Sequence, residues 1–458
     1  GKDVVINVDE DVIGGKEGLG HGWKMLMDCL GAGRGISLPA QSVGGAKLCT
    51  RVASAQTTIR KQFKMSVSKF EGVQEPLSRI FGLTYLMEAM RRFTLSPLNR
   101  GITPPVITAI AKYNQTELFR HVINDTMDAM GGAAISKGPR NLVAGHYKAA
   151  PIAITVEGAN ILTRTLMIFG QGALRAHPHA YNEIKAANEN NLKNFDKAFF
   201  GHIGHVGKNL FRSILLGATR GWLASRVTGG AAGRYFQKLS WVSAKFALMA
   251  DIGMASLGGG MKVKQQITGR YADILSWMVI GSSILFKFIK DGKKKEDLPF
   301  LHFAMGYTMS QLQKSFDGIY TNLKVPGLTW LFKYFIYPIS RLNNLGTRHT
   351  DNDTIKIVNS VINNDELRDR LSDGIFISDN EEDALTKLEY AYRITKQADA
   401  IEKKMRKAVK AKVLPREKGS NLLKAAIDKG IITDEDAEIV KKSDTVRWEA
   451  IQVDHFPA

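Results

Sequence analysis

The segment "WKMLMDCLGAGRGISLPAQSVGGAKLCTRVASAQTTIRKQF", residues 23–63, carries apolar and small side chains at helical spacing with no alternating stretch inside it. A 3.6-residue period sustained over that length predicts long helix and excludes a half-buried strand. The same texture returns in "VQEPLSRIFGLTYLMEAMRRFTL", in "PVITAIAKYNQTELFRHVINDTMDAMGG" and in the run from 156 to about 174. Four long helices with short breaks predict an antiparallel bundle. Only "DVVINVDEDVI", residues 3–13, alternates in the manner of a strand, and a glycine-rich turn, "GGKEGLGHG", follows it.

Apolar density falls near "RAHPHAYNEIKAANENNLKNF", and a second apolar helical block then runs to about residue 345. The predicted division is therefore 1–22 as the end of a β-domain, 23–178 as a helical bundle, 196–345 as a second helical domain and 346–458 as a charged helical extension. In that extension "EEDALTKLEYAYRITKQADAIEKKMRKAVKAKVLP" predicts a basic amphipathic helix with opposite charges four residues apart, and Thr433 with Asp436 predicts a capping box. The apolar stretch "ILSWMVIGSSILF", residues 274–286, is short and serine-containing, so a buried bundle helix is expected rather than a membrane span. The start is polar and strand-like, without the basic and apolar regions of a signal peptide and without an initiator Met, so the chain is expected to be part of a longer protein.

A net charge of +19 points to an acidic partner: nucleic acid, anionic lipid or a phosphate-bearing coenzyme. Cys29 and Cys49 read as buried thiols in a reducing compartment. Four histidines fall in "HPH" and "GHIGH", but no acidic or cysteine ligand joins them at metal-site spacing, and no metal is expected. The glycine-rich "GGAAG" and "GGGMK" lack the form of a phosphate loop, and there is no Gly-x-Ser-x-Gly elbow.

One carboxylate stands out. Glu157 lies in "AAPIAITVEGANILTRTL" among Ile154, Val156 and Ile161, and Gly158 follows it. A carboxylate in apolar surroundings stays near solvent, finds a partner or becomes a stronger base, and the last case suits a general base. The bland alternative is a partly exposed residue at a helix start, favoured there by the helix dipole.

Three separated segments carry a resemblance. Arg60, Phe63, Glu71 and Gln74 stand in "RKQFKMSVSKFEGVQEPLSRI", Gly131 and Gly132 close "MDAMGG", and Glu157, Gly158, Asn160 and Arg164 form "VEGANILTR". In this order and spacing they resemble the C-terminal helical domain of acyl-CoA dehydrogenases over residues 1–175, and the remainder resembles the extension of FadE-type long-chain bacterial members. The resemblance implies a mainly α fold: the family's C-terminal four-helix bundle, a second helical domain and a basic helical tail, with a short β remnant at the N-terminus. It implies FAD-dependent α,β-dehydrogenation of medium- or long-chain fatty acyl-CoA, with Glu157 removing the α-proton.

By the same resemblance Gly158 and Arg34 lie at the substrate, while Arg60, Phe63, Glu71, Gly131, Gly132, Ala159, Asn160 and Ile161 contact the flavin. Arg60 would reach the flavin of a neighbouring subunit, which implies a homodimer. An electron-transfer flavoprotein is the implied acceptor, and the implied place is the cytoplasm, at the inner face of the membrane. Lys64, Glu71, Gly31 and Ala159 depart from the commonest family residues; the first three put individual flavin or coenzyme contacts in question, and the glutamate base is untouched. The domains that cover the flavin ring and the acyl chain in the family are expected upstream of these residues.

The basic and aromatic mixture in "GKNLFRSILLGATRGWLASRV" and "LTWLFKYFIYPISR" suits an anionic membrane surface and equally an ordinary bundle helix with a solvated face, and the resemblance tips the reading toward the membrane. The rival reading is a non-catalytic relative that binds membrane or nucleic acid. Nucleic acid is the weaker partner, because the cations are spread over several segments and "KKMRKAVKAK" has no interleaved aromatics.

Overall fold

The computed structural model describes every residue except 64, 103, 173–175, 348, 418, 457 and 458, and the side chains of residues 23, 27, 28, 32, 105 and 171 lie outside the description. The fold is 76% helical, in keeping with the mainly α expectation. Helices α1 (Gly22–Gly35) and α2 (Ser37–Ile59) lead to a small hairpin, β1 (Lys61–Gln62) and β2 (Met65–Ser66), in which Lys61 pairs with Ser66. Then come α3 (Glu71–Leu98), α4 (Pro105–Met130) and α5 (Ala144–Thr155). After a break and a wide π-helical turn, Thr163–Gln171, the chain forms α6 (Ala180–Asn188), α7 (Leu192–Ala218), α8 (Gly230–Leu257), α9 (Gln265–Lys290) and α10 (Leu298–Asn322). The charged extension folds as α11 (Asp351–Ile362), α12 (Asp365–Leu371), α13 (Ala384–Lys410), α14 (Gly419–Asp428) and α15 (Asp434–Ala450).

Three sequence expectations are corrected. Residues 3–13 form no strand; a one-turn helix, Val8–Asp11, stands there instead. A strand needs a partner for its ladder bonds, and here short polar side chains satisfy the backbone locally: Asn7 N donates to Asp11 Oδ2 at 2.8 Å and Asp9 N to Asn7 Oδ1 at 3.0 Å. The run from 156 to 174 is not one helix, because the chain breaks at Glu157 and Gly158, both with positive φ. Cys29 is exposed, while Cys49 is buried and its thiol is pushed up to about 12 by that burial.

The chain resolves into two compact units. The first holds residues 1–42, 86–117 and 152–349, and the second holds 43–85, 118–151 and 350–458. In the first, α9 packs against α8, α10 and the π-helical turn, and Phe169 stacks on Tyr271 at 4.6 Å. Gly253 makes that packing possible: a Cβ there would come within 2.6 Å of the Tyr271 hydroxyl, which donates to Met249 O at 2.8 Å. Helix α9 is long and apolar enough to cross a membrane by length and composition, yet 56% of its most apolar window is buried within the protein, the setting of a bundle-core helix.

In the second unit α13 lies along α15, joining Leu385, Leu388 and Tyr392 to Val52, Ile59 and Met130. The capping box predicted at Thr433 and Asp436 is formed, and Thr350 with Asp353 makes another. Arg368, 1% exposed, donates to both carboxylate oxygens of Glu389 and lies over the Tyr392 ring at 4.1 Å. Arg51 also reaches Glu389, at 3.0 Å.

Candidate active site

The helical pattern of α5 stops at Thr155, and the next residues turn sharply. Glu157 has φ 54 and Gly158 φ 92, so two consecutive residues occupy left-handed backbone. Glycine adopts this freely, but for a glutamate it costs energy that the surroundings must repay. They hold the turn from both sides. Arg34 of α1, 4% exposed, donates from Nε to Glu157 O at 2.6 Å. Lys112 of α4, fully buried, donates from Nζ to Ile154 O at 3.1 Å, Gly158 O at 2.8 Å and Asn160 Oδ1 at 2.7 Å.

The Glu157 carboxylate lies against α1. A Cβ on Gly33 would sit 2.6 Å from Oε1 and 2.9 Å from Oε2, so only glycine leaves room for it there. Oε2 is buried and has no hydrogen-bond partner. A buried acceptor without a donor is uncommon in a folded protein, and a carboxylate left so is available to take a proton. The apolar neighbours read from the sequence do not enclose it, since Val156 is 40% and Ile161 78% exposed. Its shelter comes from α1 instead.

Burial lowers the Arg34 guanidinium from its ordinary range, and Glu157 opposes that shift. Burial also pushes the Lys112 ammonium down to about 8. The remaining family-implied residues of this segment divide. Asn160 turns inward, 3% exposed, with Nδ2 donating to Thr116 Oγ1 at 2.9 Å and Glu117 Oε1 at 2.8 Å, so its side chain braces the turn. Ala159 and Ile161 are exposed. Arg164 forms a two-toothed ion pair with Asp273 of α9, Nε to Oδ1 2.7 Å.

In the second unit the hairpin and the end of α4 bring Arg60 and Gly131 together. Arg60 Nη1 donates to Met130 O at 3.3 Å and stands 3.4 Å from where a Cβ on Gly131 would be, and Gly131 has φ 62. Phe63, also at positive φ, is 89% exposed and meets Phe70 edge-on at 6.3 Å. Glu71 is exposed in the first turn of α3, Gly132 is exposed, and Gln74 is buried with Nε2 donating to Ser68 O at 3.3 Å. Lys64 lies outside the described residues.

The four histidines do gather, and acidic partners absent from their sequence spacing join them. His177 Nε2 lies 2.9 Å from Asp251 Oδ1, and His202 Nδ1 lies 2.8 Å from Glu183 Oε1. His177 Nδ1 accepts from the backbone N–H of Ala180 at 2.9 Å and of His179 at 3.2 Å, capping α6. A neutral ring that accepts at Nδ1 carries its proton on Nε2, so that nitrogen donates to Asp251 and offers no lone pair to a metal.

Two family profiles match the chain: the acyl-CoA dehydrogenase C-terminal domain over residues 20–168, and the bacterial-type acyl-CoA dehydrogenase C-terminal region over residues 174–456. The chain belongs to the acyl-CoA dehydrogenase family. It is 26% identical over 280 residues to the probable acyl-CoA dehydrogenase FadE10 of Mycobacterium tuberculosis, a match covering 59% of this chain and 42% of that protein. A stretch of 55 residues, 12% of the chain, is 47% identical to the protein HemX of Proteus mirabilis and covers 32% of it. The chain thus spans less than half the length of either relative. Its fold is similar to the crystal structure of an acyl-CoA dehydrogenase complexed with FAD from Bacillus anthracis, with a TM-score of 0.58 and 16% identity over 76% of this chain and 57% of that one.

Proposed function

We propose that the full-length protein dehydrogenates medium- or long-chain fatty acyl-CoA to the trans-2-enoyl-CoA, with Glu157 as the base that removes the α-proton. The observation that carries this reading is the Glu157 carboxylate itself: one oxygen buried without a donor, on a left-handed turn tied down by Arg34 and Lys112. An α-hydrogen beside a thioester is weakly acidic, so its removal needs a base fixed in place, and such positioning is typically worth about 10² to 10⁴ in rate. Gly158, without a side chain, leaves the backbone open to a close-lying thioester, and Arg34 orients the turn from the other side.

FAD, when bound, supplies the acceptor for the β-hydrogen as hydride. The resemblance gives flavin contacts to Arg60, Phe63, Glu71, Gly131 and Gly132 of the second unit, and separately to Ala159, Asn160 and Ile161 of the first. The fit rests on chemistry present in the chain: among the described contacts the Arg60 guanidinium makes one long hydrogen bond, leaving N–H groups for phosphate oxygens, and the Phe63 ring is displayed to solvent. Asn160 is the exception, acting through the backbone it braces. A homodimer, in which Arg60 serves the partner's flavin, and an electron-transfer flavoprotein as oxidant complete the reading.

Attachment to the inner, anionic face of the membrane is supported by α7. Phe200, Ile203, Leu210, Phe211 and Ile214 are all exposed at helical spacing, with Lys193, Lys197 and Lys208 exposed on the same helix. The test of the enzymatic reading is an anaerobic titration of the FAD-loaded full-length protein with long-chain acyl-CoA. The parent bleaches the oxidised flavin, while Glu157→Gln keeps its flavin and bleaches at least a hundredfold more slowly. Equal bleaching in both would remove Glu157 from the reaction.

A further inference from the structure

Lys112 closes the apolar opening of α4, "PVITAIAK", and it is not among the family-implied site residues. An ammonium has three N–H donors and no acceptor, and Lys112 meets three acceptors: Ile154 O on the last turn of α5, Gly158 O just after the base, and Asn160 Oδ1 where the helix resumes. The three acceptors bracket Glu157 before, beside and after. Fully buried, Lys112 has no competing water to exchange these bonds with.

We infer that Lys112 is a positioning residue for the base, a protonated clamp that holds the Glu157 turn in its left-handed form. The inference rests on Glu157 being the base of the proposed reaction. It adds a regulation of that site by pH. A neutral amine keeps two donors and turns a lone pair toward a carbonyl oxygen, so one of the three bonds is lost and the turn loosens.

The groups facing Lys112 are Glu157 on the turn, Arg34 on α1 and Glu117 on its own helix. The ammonium is lowered to about 8, burial being the largest cause, with Glu157 and Glu117 opposing it and Arg34 adding to it. The clamp is complete below that value and released as pH rises through it, so proton abstraction falls off on the alkaline side near pH 8. A turn displaced by about 1 Å is enough to cost up to 10²-fold in rate.

The test uses FAD-loaded full-length protein and two variants. Lys112→Met, similar in length and without donors, lowers the rate of anaerobic flavin bleaching tenfold to a hundredfold and abolishes its alkaline limb, with flavin content unchanged. Glu117→Gln keeps the acceptor for Asn160 and removes a charge, so it folds as the parent does and moves the midpoint of the limb to lower pH. A lysine serving only stability would lower the melting temperature of Lys112→Met and leave the limb in place. Amide hydrogen exchange of residues 155–163 reads the clamp independently of turnover, with exchange at least tenfold faster in Lys112→Met. An unmoved limb in Glu117→Gln, or unchanged exchange in Lys112→Met, overturns the inference. A parent that does not bleach while exchange responds to Lys112→Met overturns the dehydrogenase reading and leaves the clamp without a catalytic role.

Discussion

Gly33 and Glu157 are 124 positions apart and occupy one another's space. Gly33 lies inside α1, where alanine would ordinarily stabilise the helix by roughly 0.5–1 kcal/mol. Here a Cβ would meet the carboxylate, which is the end of a flexible side chain and yields before the backbone does. Gly33→Ala should therefore hold or slightly raise the melting temperature while slowing flavin reduction at least tenfold; a stable variant of unchanged rate would show that the carboxylate does not work from this position. Glu157 was legible in the sequence as a lone carboxylate in an apolar run beside a glycine. Its partners were not. Gly33 carries no signal until the turn folds against it, and Lys112 in "AIAKYNQT" reads as an ordinary cation on a helix face, since its three acceptors come from residues more than forty positions later.

At the scale of elements, periodicity located the long helices, because each buries an apolar face whose spacing is written in the chain. It failed where local polar chemistry or a partner decides. "DVVINVDEDVI" alternates, but its Asn and Asp side chains take the backbone donors that a sheet would need. The histidines of "HPH" looked isolated because Asp251 arrives from α8, and only the fold makes His177 the cap of α6. That cap has a pH consequence. Burial holds the His177 imidazole below its ordinary value, Asp251 opposing. Between the lowered value and an unfolded value near 6.5 the unfolded chain binds more protons, so stability falls as pH falls through that window. Denaturation midpoints measured at pH 7 and 5.5 should drop in the parent and drop less in His177→Gln; an equal drop would assign the acid sensitivity to other groups.

Across the whole molecule, the proposed membrane attachment has the positive charge and the exposed apolar stripe of α7 acting together. Each basic residue near an anionic surface contributes about 1 kcal/mol, and inserted aromatic rings add to it. Phe200→Glu and Phe211→Glu should each weaken binding to phosphatidylglycerol-containing vesicles about tenfold in a sedimentation assay, roughly 1.4 kcal/mol apiece; binding unaffected by both would exclude α7 as the attachment face. On the proposed reading catalysis is separable from attachment, and it depends on one event, removal of the α-proton by Glu157. The most direct measurement gives the FAD-loaded full-length protein a long-chain acyl-CoA analogue with no hydrogen on its β-carbon, in D₂O, and follows deuterium into the α-position by mass spectrometry. Exchange in the parent that falls at least a hundredfold in Glu157→Gln, with the flavin retained, is the predicted result. Equal exchange in both proteins would contradict it and send the search for the base elsewhere.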